Sequence, residues 1–250
     1  MLKKIILTVI TFTLLATLGS IPPVFAAFQN FAIVPPEFEN QNDFGSPSIF
    51  DCADLPNGSR LQVRFPAEDL HGGLITGINV RLFDGSPGFG PVVGPPVTFI
   101  MSTYVNPPPL STTFAENTGP DAVTVFAGDL IFGTIPGCNT NPCPFDLPVI
   151  FQTPFPYTPN FGDLLLDIIV PPCVGGIPPN VLIDSTFVLD AIFAADSNDD
   201  EGDNGFGNIS EIVLASPAPI PTLSQWGLIA MAAILGIVGF MVIRRRRVTA

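Results

Sequence analysis

Residues 75–83, Ile-Thr-Gly-Ile-Asn-Val-Arg-Leu-Phe, decide the fold class because apolar and polar side chains alternate along them. The apolar side chains from position 78 onward would share one face of a strand. The two polar residues that alternate with them, Asn79 and Arg81, would point to the other side. A period of two residues is typical of a strand that is buried on one face and meets solvent on the other.

Short apolar runs of this kind recur along the middle of the chain, separated by glycine and proline. The 250 residues include 23 glycines and 29 prolines, and proline removes a helix hydrogen bond and clashes with the preceding turn. We therefore predict an all-β fold, a β-sandwich or jelly roll, without a long helix between the two ends. The strand 162–170 carries apolar side chains on both faces and is expected to be covered on both. The predicted strands are 28–34, 61–65, 75–83, 97–103, 122–132, 149–153, 162–170, 187–193 and 209–214.

The charges are unevenly distributed along the chain. Residues 27–220 contain three arginines and all 22 acidic residues, which gives this stretch a formal charge of −19. Such a surface repels phosphate backbones, so no nucleic-acid partner is expected. Acidity of this kind keeps an exported protein soluble and can attract cations.

The N-terminal residues 1–26 have the pattern of a signal peptide. Lys3 and Lys4 precede the apolar run 5–18, and small or branched side chains precede a predicted cut after Ala26. The pattern predicts delivery to the Sec export machinery. An uncleaved anchor helix is the alternative, against which the short apolar run and the following Pro22-Pro23 pair argue.

The C-terminal residues 226–243 form an 18-residue run without a charged side chain, followed directly by four arginines. A helix of this length spans roughly 27 Å, about one bilayer core. Basic residues favour the cytoplasmic side, and Trp226 suits the opposite interface. We therefore predict a transmembrane helix over 226–243 with an arginine-rich cytoplasmic end.

The segment 220–227, Ile-Pro-Thr-Leu-Ser-Gln-Trp-Gly, together with this span and its arginines, resembles the IPTL-CTERM sorting signal, a variant of the PEP-CTERM class on exported proteins of Gram-negative bacteria. The resemblance implies recognition by an exosortase, a membrane-embedded cysteine transpeptidase-like enzyme. The protein would be anchored transiently in the inner membrane, then cut and passed to the cell surface or outside. A permanent single-pass anchor is the alternative. The residues that carry the resemblance are Ile220, Pro221, Thr222, Leu223, Trp226, Gly227, Arg244, Arg245, Arg246 and Arg247.

The predicted ectodomain, residues 27–214, is long enough for one self-sufficient core. Residues 215–221 form a stiff, proline-rich linker to the tail 220–250. Part of the ectodomain resembles uncharacterised exported PEP-CTERM proteins, which implies an all-β sandwich without an assigned activity. The segments that carry this second resemblance are 110–117, 124–128, 153–157 and 160–168.

An even number of cysteines in an exported chain favours disulfides. Cys138 and Cys143 can close a small loop, and Cys52 with Cys173 follows by elimination. Free buried thiols are the alternative, because cysteine is often buried. A zinc site is not expected, since the chain has no C-x2-C pair and one histidine, His71.

The single histidine argues against most enzyme classes. His71 is followed by two glycines and is predicted to lie in an exposed turn. The chain contains neither an H-E-x-x-H nor a G-x-S-x-G motif. Paired carboxylates could hydrolyse glycosides, but with 22 acidic residues a chance pair is expected. We predict that the protein is not an enzyme and keep a secreted hydrolase as a minor alternative.

The acidic run 196–205 places oxygen ligands at the first positions of a calcium-loop pattern. Glu201 stands where such a loop needs glycine, and Gly207 stands where it needs the closing glutamate. It is therefore not an EF-hand loop, and no cofactor is predicted beyond weak calcium binding. The weak calcium candidates are Asp196, Asn198, Asp200 and Asp203.

The sequence as a whole predicts an exported surface or matrix protein with a structural or adhesive role tied to exopolysaccharide or biofilm. The tail resemblance supplies this role by analogy. A calcium- or glycan-binding extracellular module is the alternative. The ectodomain has two tyrosines and no tryptophan, which disfavours aromatic stacking on sugars, since phenylalanine at alternate strand positions is usually core.

Overall fold

The computed structural model describes residues 30–173 and 181–215, and the described residues fold as strands joined by turns and short helical segments. The predicted all-β fold is confirmed. The longest α-helix among these residues is the single turn Phe114–Asn117. The strands are β1 (Asn30–Val34), β2 (Phe44–Pro47), β3 (Ser59–Phe65), β4 (Gly73–Val80), β5 (Val92–Tyr104), β6 (Val123–Phe132), β7 (Leu147–Tyr157), β8 (Asp163–Val170), β9 (Leu182–Thr186), β10 (Asp190–Ala194), β11 (Asp203–Asn204), β12 (Gly207–Asn208) and β13 (Ser210–Leu214).

The strands form three antiparallel sheets. The larger two have the orders β11-β10-β3-β8-β5-β6 and β1-β13-β4-β7, and a smaller sheet has the order β12-β9-β2. The alternation that predicted several strands also explains their packing, because such a strand turns its apolar side chains to one face. On β7, for example, the burial of successive residues alternates between buried and exposed over Leu147–Phe151.

One continuous core lies between the sheets. Side chains from both large sheets and from β9 contribute to it, so the sheets face each other across shared apolar contacts. The central members of this core are Leu61, Val63, Ile75, Ile78, Phe99, Leu147, Val149, Leu164, Leu166 and Ile183. Burial of this apolar surface is the main force that holds the sheets together.

The segment 105–121 covers the outer face of the six-stranded sheet. It forms a second, smaller apolar cluster with β8 and β10, in which Phe114 packs near Leu165 and Ile192. Leu164 through Ile168 are consequently all buried. This confirms the expectation that the strand predicted at 162–170 is covered on both faces.

Two predictions at strand level are wrong. Arg81 was expected on the solvent side of its strand, but the side chain is fully buried, because the segment 38–41 and Phe145 cover it. The predicted strand 187–193 is a turn followed by β10. The chain crosses there from the three-stranded to the six-stranded sheet, which leaves Phe187 exposed.

Candidate functional site

The outer face of the six-stranded sheet carries a polar network around Asp167. Arg60 donates from Nε and Nη2 to the two carboxylate oxygens of Asp167, at 3.0 and 2.6 Å. Gln62 Nε2 donates to the same carboxylate at 2.8 Å, and Asn117 Nδ2 donates to Gln62 Oε1 at 3.0 Å. The Arg60 guanidinium lies over the Phe114 ring, 4.4 Å from its centroid. The network therefore fastens the segment 105–121 to β3 and β8.

A second arginine on β3 joins two neighbouring strands. Arg64 donates to Asp163 at 2.7 Å and to Asp190 at 3.1 Å. Burial alone would lower the pKa of Arg64, but its hydrogen bonds and charge interactions with these two carboxylates outweigh burial, so the pKa is raised. Asp190 also accepts the backbone N–H of Leu110 at 2.8 Å. These contacts fix the start of the covering segment.

The third arginine forms a fully buried ion pair. Arg81 Nε donates to Asp184 Oδ2 at 2.8 Å, and neither side chain is exposed to solvent. Arg81 Nη2 donates to the carbonyl oxygens of Phe38 and Gln41 at 2.8 and 2.6 Å. The guanidinium also lies 4.9 Å from the centroid of the Phe145 ring. Desolvation raises the pKa of Asp184 despite its hydrogen bonds, because burial penalises the charged form most strongly.

The ion pairs determine what charge the surface presents. All three arginines of the described residues bind aspartates, and these residues contain no lysine. Four carboxylates take part in these pairs, which leaves 18 acidic side chains without an arginine partner in the described part of the chain. The surface therefore attracts cations and repels anionic polymers.

The weak calcium candidates are not brought together as one cluster. Asp196 Oδ1 accepts hydrogen bonds from the N–H and Nδ2 of Asn198, at 2.9 and 3.0 Å. The carbonyl oxygen of Asp200 accepts a hydrogen bond from the backbone N–H of Phe114, and Asp203 is exposed on β11. Over residues 30–173 and 181–215, no group of three or more histidine, cysteine, aspartate or glutamate side chains is arranged to hold a metal ion. The calcium site stays a prediction.

His71 is exposed, as predicted, and lies in the short connection between the helical turn Ala67–Asp69 and β4. The nearby Asp69 is half-buried, and burial, followed by the charges of Glu68 and Glu37, raises its pKa. A raised pKa in a cleft is one mark of a catalytic acid. Asp69, however, precedes an exposed loop and belongs to none of the larger cavities described below.

Both predicted disulfides are present. Cys52 and Cys173 are bonded across 121 residues, with their Cα atoms 5.4 Å apart. Cys138 and Cys143 close a short loop, with Cα atoms 5.9 Å apart. The two disulfides therefore cross-link the body of the protein, and no free thiol remains.

A partly exposed aromatic cluster was not foreseen from the sequence. The rings of Phe44 and Phe187 stack with centroids 4.8 Å apart, and Phe206 meets both edge-on, at 5.4 and 5.9 Å. Phe187 is 72% exposed. Beside Phe206 lies a cavity of about 250 Å³, lined by Pro47, Ser48, Ile49, Asp54, Leu55, Leu61, Phe193 and Phe206. Phenylalanines within strands were expected in the core, but Phe187, at the start of the predicted strand 187–193, is exposed because the chain changes sheets there.

A smaller cavity of about 220 Å³ borders the short disulfide loop. Its lining includes both cysteines of that loop, together with Leu82 and Asp146. Because the cysteines are bonded to each other, the cavity contains no thiol nucleophile.

The predicted signal peptide 1–26 and the predicted sorting residues of the tail 220–250 lie outside the described residues, as do residues 216–219 of the linker. In the part of the chain that the structure describes, no helix has the length and apolar character needed to cross a membrane.

Comparison with known proteins identifies the tail and not the body. No curated protein matches the chain, and no solved structure matches it. The family model of the IPTL-CTERM motif matches residues 218–247. This segment contains all ten residues that carry the resemblance to the sorting signal, and the body between the two ends is unmatched. The chain therefore carries an IPTL-CTERM motif, a C-terminal sorting signal, at residues 218–247.

Proposed function

We propose that this protein is an exosortase substrate, exported by the Sec machinery, held briefly in the inner membrane of a Gram-negative bacterium and then released to the cell surface or medium. The IPTL-CTERM motif at residues 218–247 carries the proposal. The apolar run 226–243 would hold the tail in the membrane, with the arginines on the cytoplasmic side. A proline-containing extended segment at the membrane edge would remain open to a processing enzyme.

We further propose that the released body has a structural or adhesive role in an exopolysaccharide matrix. An all-β body that is cross-linked by two disulfides suits an oxidising, extracellular environment. Its unpaired charge is entirely acidic in the described part of the chain. The matrix polymer would therefore be neutral or cationic, or would need divalent cations as bridges if it were anionic.

The body is proposed to be non-catalytic. Its one histidine is exposed in a connection between two elements, and its four cysteines are bonded in pairs. Three aspartates of the six-stranded sheet, Asp163, Asp167 and Asp190, are bound by arginines of β3. Assay of the purified protein on a panel of polysaccharide and ester substrates tests this. Turnover that the double variant Asp163→Asn, Asp190→Asn abolishes would contradict it.

Intact-mass analysis tests the sorting proposal. The protein would be recovered separately from culture medium and from membranes. We expect a species that begins at Ala27 and ends before Trp226. Recovery only of chains that still carry Arg244–Arg247 would show that the tail is a permanent anchor.

A pair of variants separates the motif from the linker. Pro221→Ala with Thr222→Ala alters the matched motif and should trap the protein in the membrane with its tail intact. Ser216→Ala with Pro217→Ala changes two residues just before the match and should be processed like the native chain. Equal processing of the two variants would overturn recognition of the motif.

Cosedimentation with defined polymers tests the matrix role. Chitosan, cellulose and alginate would be compared in the presence of calcium and of a chelator. We expect no binding to alginate, a polyanion, while the chelator is present. We expect binding in at least one of the other combinations of polymer and solution. Binding to alginate under chelation would contradict the charge argument, and no binding under any condition would contradict the matrix role.

A further inference from the structure

The cavity beside Phe206 lies between the three-stranded and six-stranded sheets. Pro47 comes from β2, whereas Leu61 and Phe193 come from β3 and β10. The cavity is open to solvent, because Pro47 and Asp54 in its lining are exposed. The half-buried ring of Phe44 and the exposed ring of Phe187 stand next to Phe206 and extend the apolar rim of the cavity.

We propose that this cavity docks a partner polypeptide, which inserts one large apolar side chain between the sheets and places a lysine or arginine beside Asp54. The proposal concerns the body alone and does not depend on how the tail is processed.

The size and lining of the cavity favour an apolar side chain over a sugar. A cavity of about 150 Å³ lined by aliphatic and aromatic residues suffices to hold benzene, and this one measures about 250 Å³. Ser48 and Asp54 are the polar side chains in its lining. A sugar ring would lose the hydration of more hydroxyl groups than these two side chains could replace, and unpaired buried polar groups are costly.

The charge around the cavity selects a basic partner. Asp54 has no arginine partner among the described residues. The backbone N–H of Ser197 donates to the carbonyl oxygen of Asn57 at 3.4 Å, which places the acidic loop 196–203 close to the segment that carries Asp54. A second copy of this acidic chain would be repelled here, whereas a basic segment would be attracted.

Three short peptides separate the apolar contribution from the charge contribution. Acetyl-Arg-Trp-Arg-amide, acetyl-Glu-Trp-Glu-amide and acetyl-Arg-Ala-Arg-amide would be titrated by calorimetry into the full chain in lipid nanodiscs. We expect the first peptide to bind at least about tenfold more tightly than the third, since it buries a large side chain. It should also bind about two- to tenfold more tightly than the second, because of the charges beside Asp54.

Matched variants locate the binding site. Asp54→Asn should weaken the basic tryptophan peptide about two- to fivefold, whereas Asp129→Asn, which removes an exposed charge on β6, should leave it unchanged. Leu55→Trp should fill the cavity and abolish binding. Phe187→Ser should weaken binding, whereas Ile150→Ser removes an equally exposed apolar side chain on β7 and should not.

Several results would overturn the proposal. These are the absence of binding by the basic tryptophan peptide, equal binding of the acidic and basic peptides, and equal effects of Phe187→Ser and Ile150→Ser. Displacement of the peptide by maltose would identify the cavity as a glycan site instead. Self-association that Phe187→Ser abolishes, without peptide binding, would identify it as a contact between copies.

Discussion

The side-chain amide of Gln152 pairs with the backbone of Ala127 as a neighbouring strand would. Gln152 Oε1 accepts the N–H of Ala127 at 3.3 Å, and Gln152 Nε2 donates to its carbonyl oxygen at 3.1 Å. Ala127 lies on β6, the edge of the six-stranded sheet, and Gln152 lies on β7, the edge of the four-stranded sheet. One side chain therefore links the two sheets and covers part of an edge that could otherwise pair with another chain.

Gln152→Ala should destabilise the protein slightly and expose this edge. Loss of two solvent-exposed hydrogen bonds should cost about 1 kcal/mol in the free energy of unfolding, measured by urea denaturation. Light scattering should show faster aggregation, since the edge of β6 is left open. The exposed neighbour Thr153→Ala serves as control and should change neither. Equal aggregation of the two variants would show that the edge is protected in another way.

Arg81→Met should be among the most damaging single substitutions in the body. It leaves the Asp184 carboxylate buried without its partner and frees the carbonyl oxygens of Phe38 and Gln41. Breaking a buried ion pair from one side costs about 3–5 kcal/mol.

Arg60→Met is the matched control for that substitution. Its partner Asp167 keeps the hydrogen bond from Gln62, and the Arg60 side chain is 19% exposed, so the loss should be about 1–3 kcal/mol. Urea denaturation of both variants compares them. A loss for Arg81→Met no greater than for Arg60→Met would mean that leaving Asp184 without its arginine costs no more than leaving Asp167 without its own.

Short apolar runs between glycines and prolines, with alternation of apolar and polar residues where one face is exposed, were enough to predict most strands. The stretch 162–170 predicted β8 (Asp163–Val170) to within a residue, and 122–132 did the same for β6 (Val123–Phe132). Period-two burial against a single core is a local property, so the sequence contains it directly. The cysteine pairing followed from their small number and from the short loop.

The sequence predicted poorly where polar side chains are buried or where the chain changes sheet. β2 (Phe44–Pro47) and β9 (Leu182–Thr186) were missed because their buried residues include serine and aspartate, such as Ser46 and Asp184. Such residues are tolerated inside only when partners from distant segments satisfy them, and Asp184 meets Arg81 from 103 positions away. The aromatic cluster and its cavity likewise depend on which strand ends come together.

The raised pKa of Asp69 predicts a stabilising substitution. Burial and the charges of Glu68 and Glu37 disfavour its ionised form in the folded state. The folded state therefore binds this proton more tightly than the unfolded chain, so ionised Asp69 lowers stability at neutral pH. This penalty is lost as the pH falls through the raised pKa and is absent below the ordinary value of 3.8.

Asp69→Asn should accordingly raise Tm at pH 7 by about 1–2 °C, the small change usual for substitutions near the surface. The difference from the native protein should shrink as the pH falls and vanish below about pH 4. Calorimetric melting at a series of pH values measures it, with Asp129→Asn as a charge-matched control. A lower Tm at pH 7, or a gain that grows at acidic pH, would contradict the assignment.

The two disulfides should differ in their contribution to stability because they close loops of different length. In the chain-entropy model, a bond across 121 residues is worth about 5 kcal/mol and one across 5 residues about 2 kcal/mol. Cys52→Ala with Cys173→Ala should therefore lower the free energy of unfolding more than Cys138→Ala with Cys143→Ala. Urea denaturation under non-reducing conditions measures both. A larger loss for the short loop would mean that native contacts around it, such as the hydrogen bonds of the Cys138 backbone with Gly85 and Ser86, outweigh the entropy of the unfolded chain.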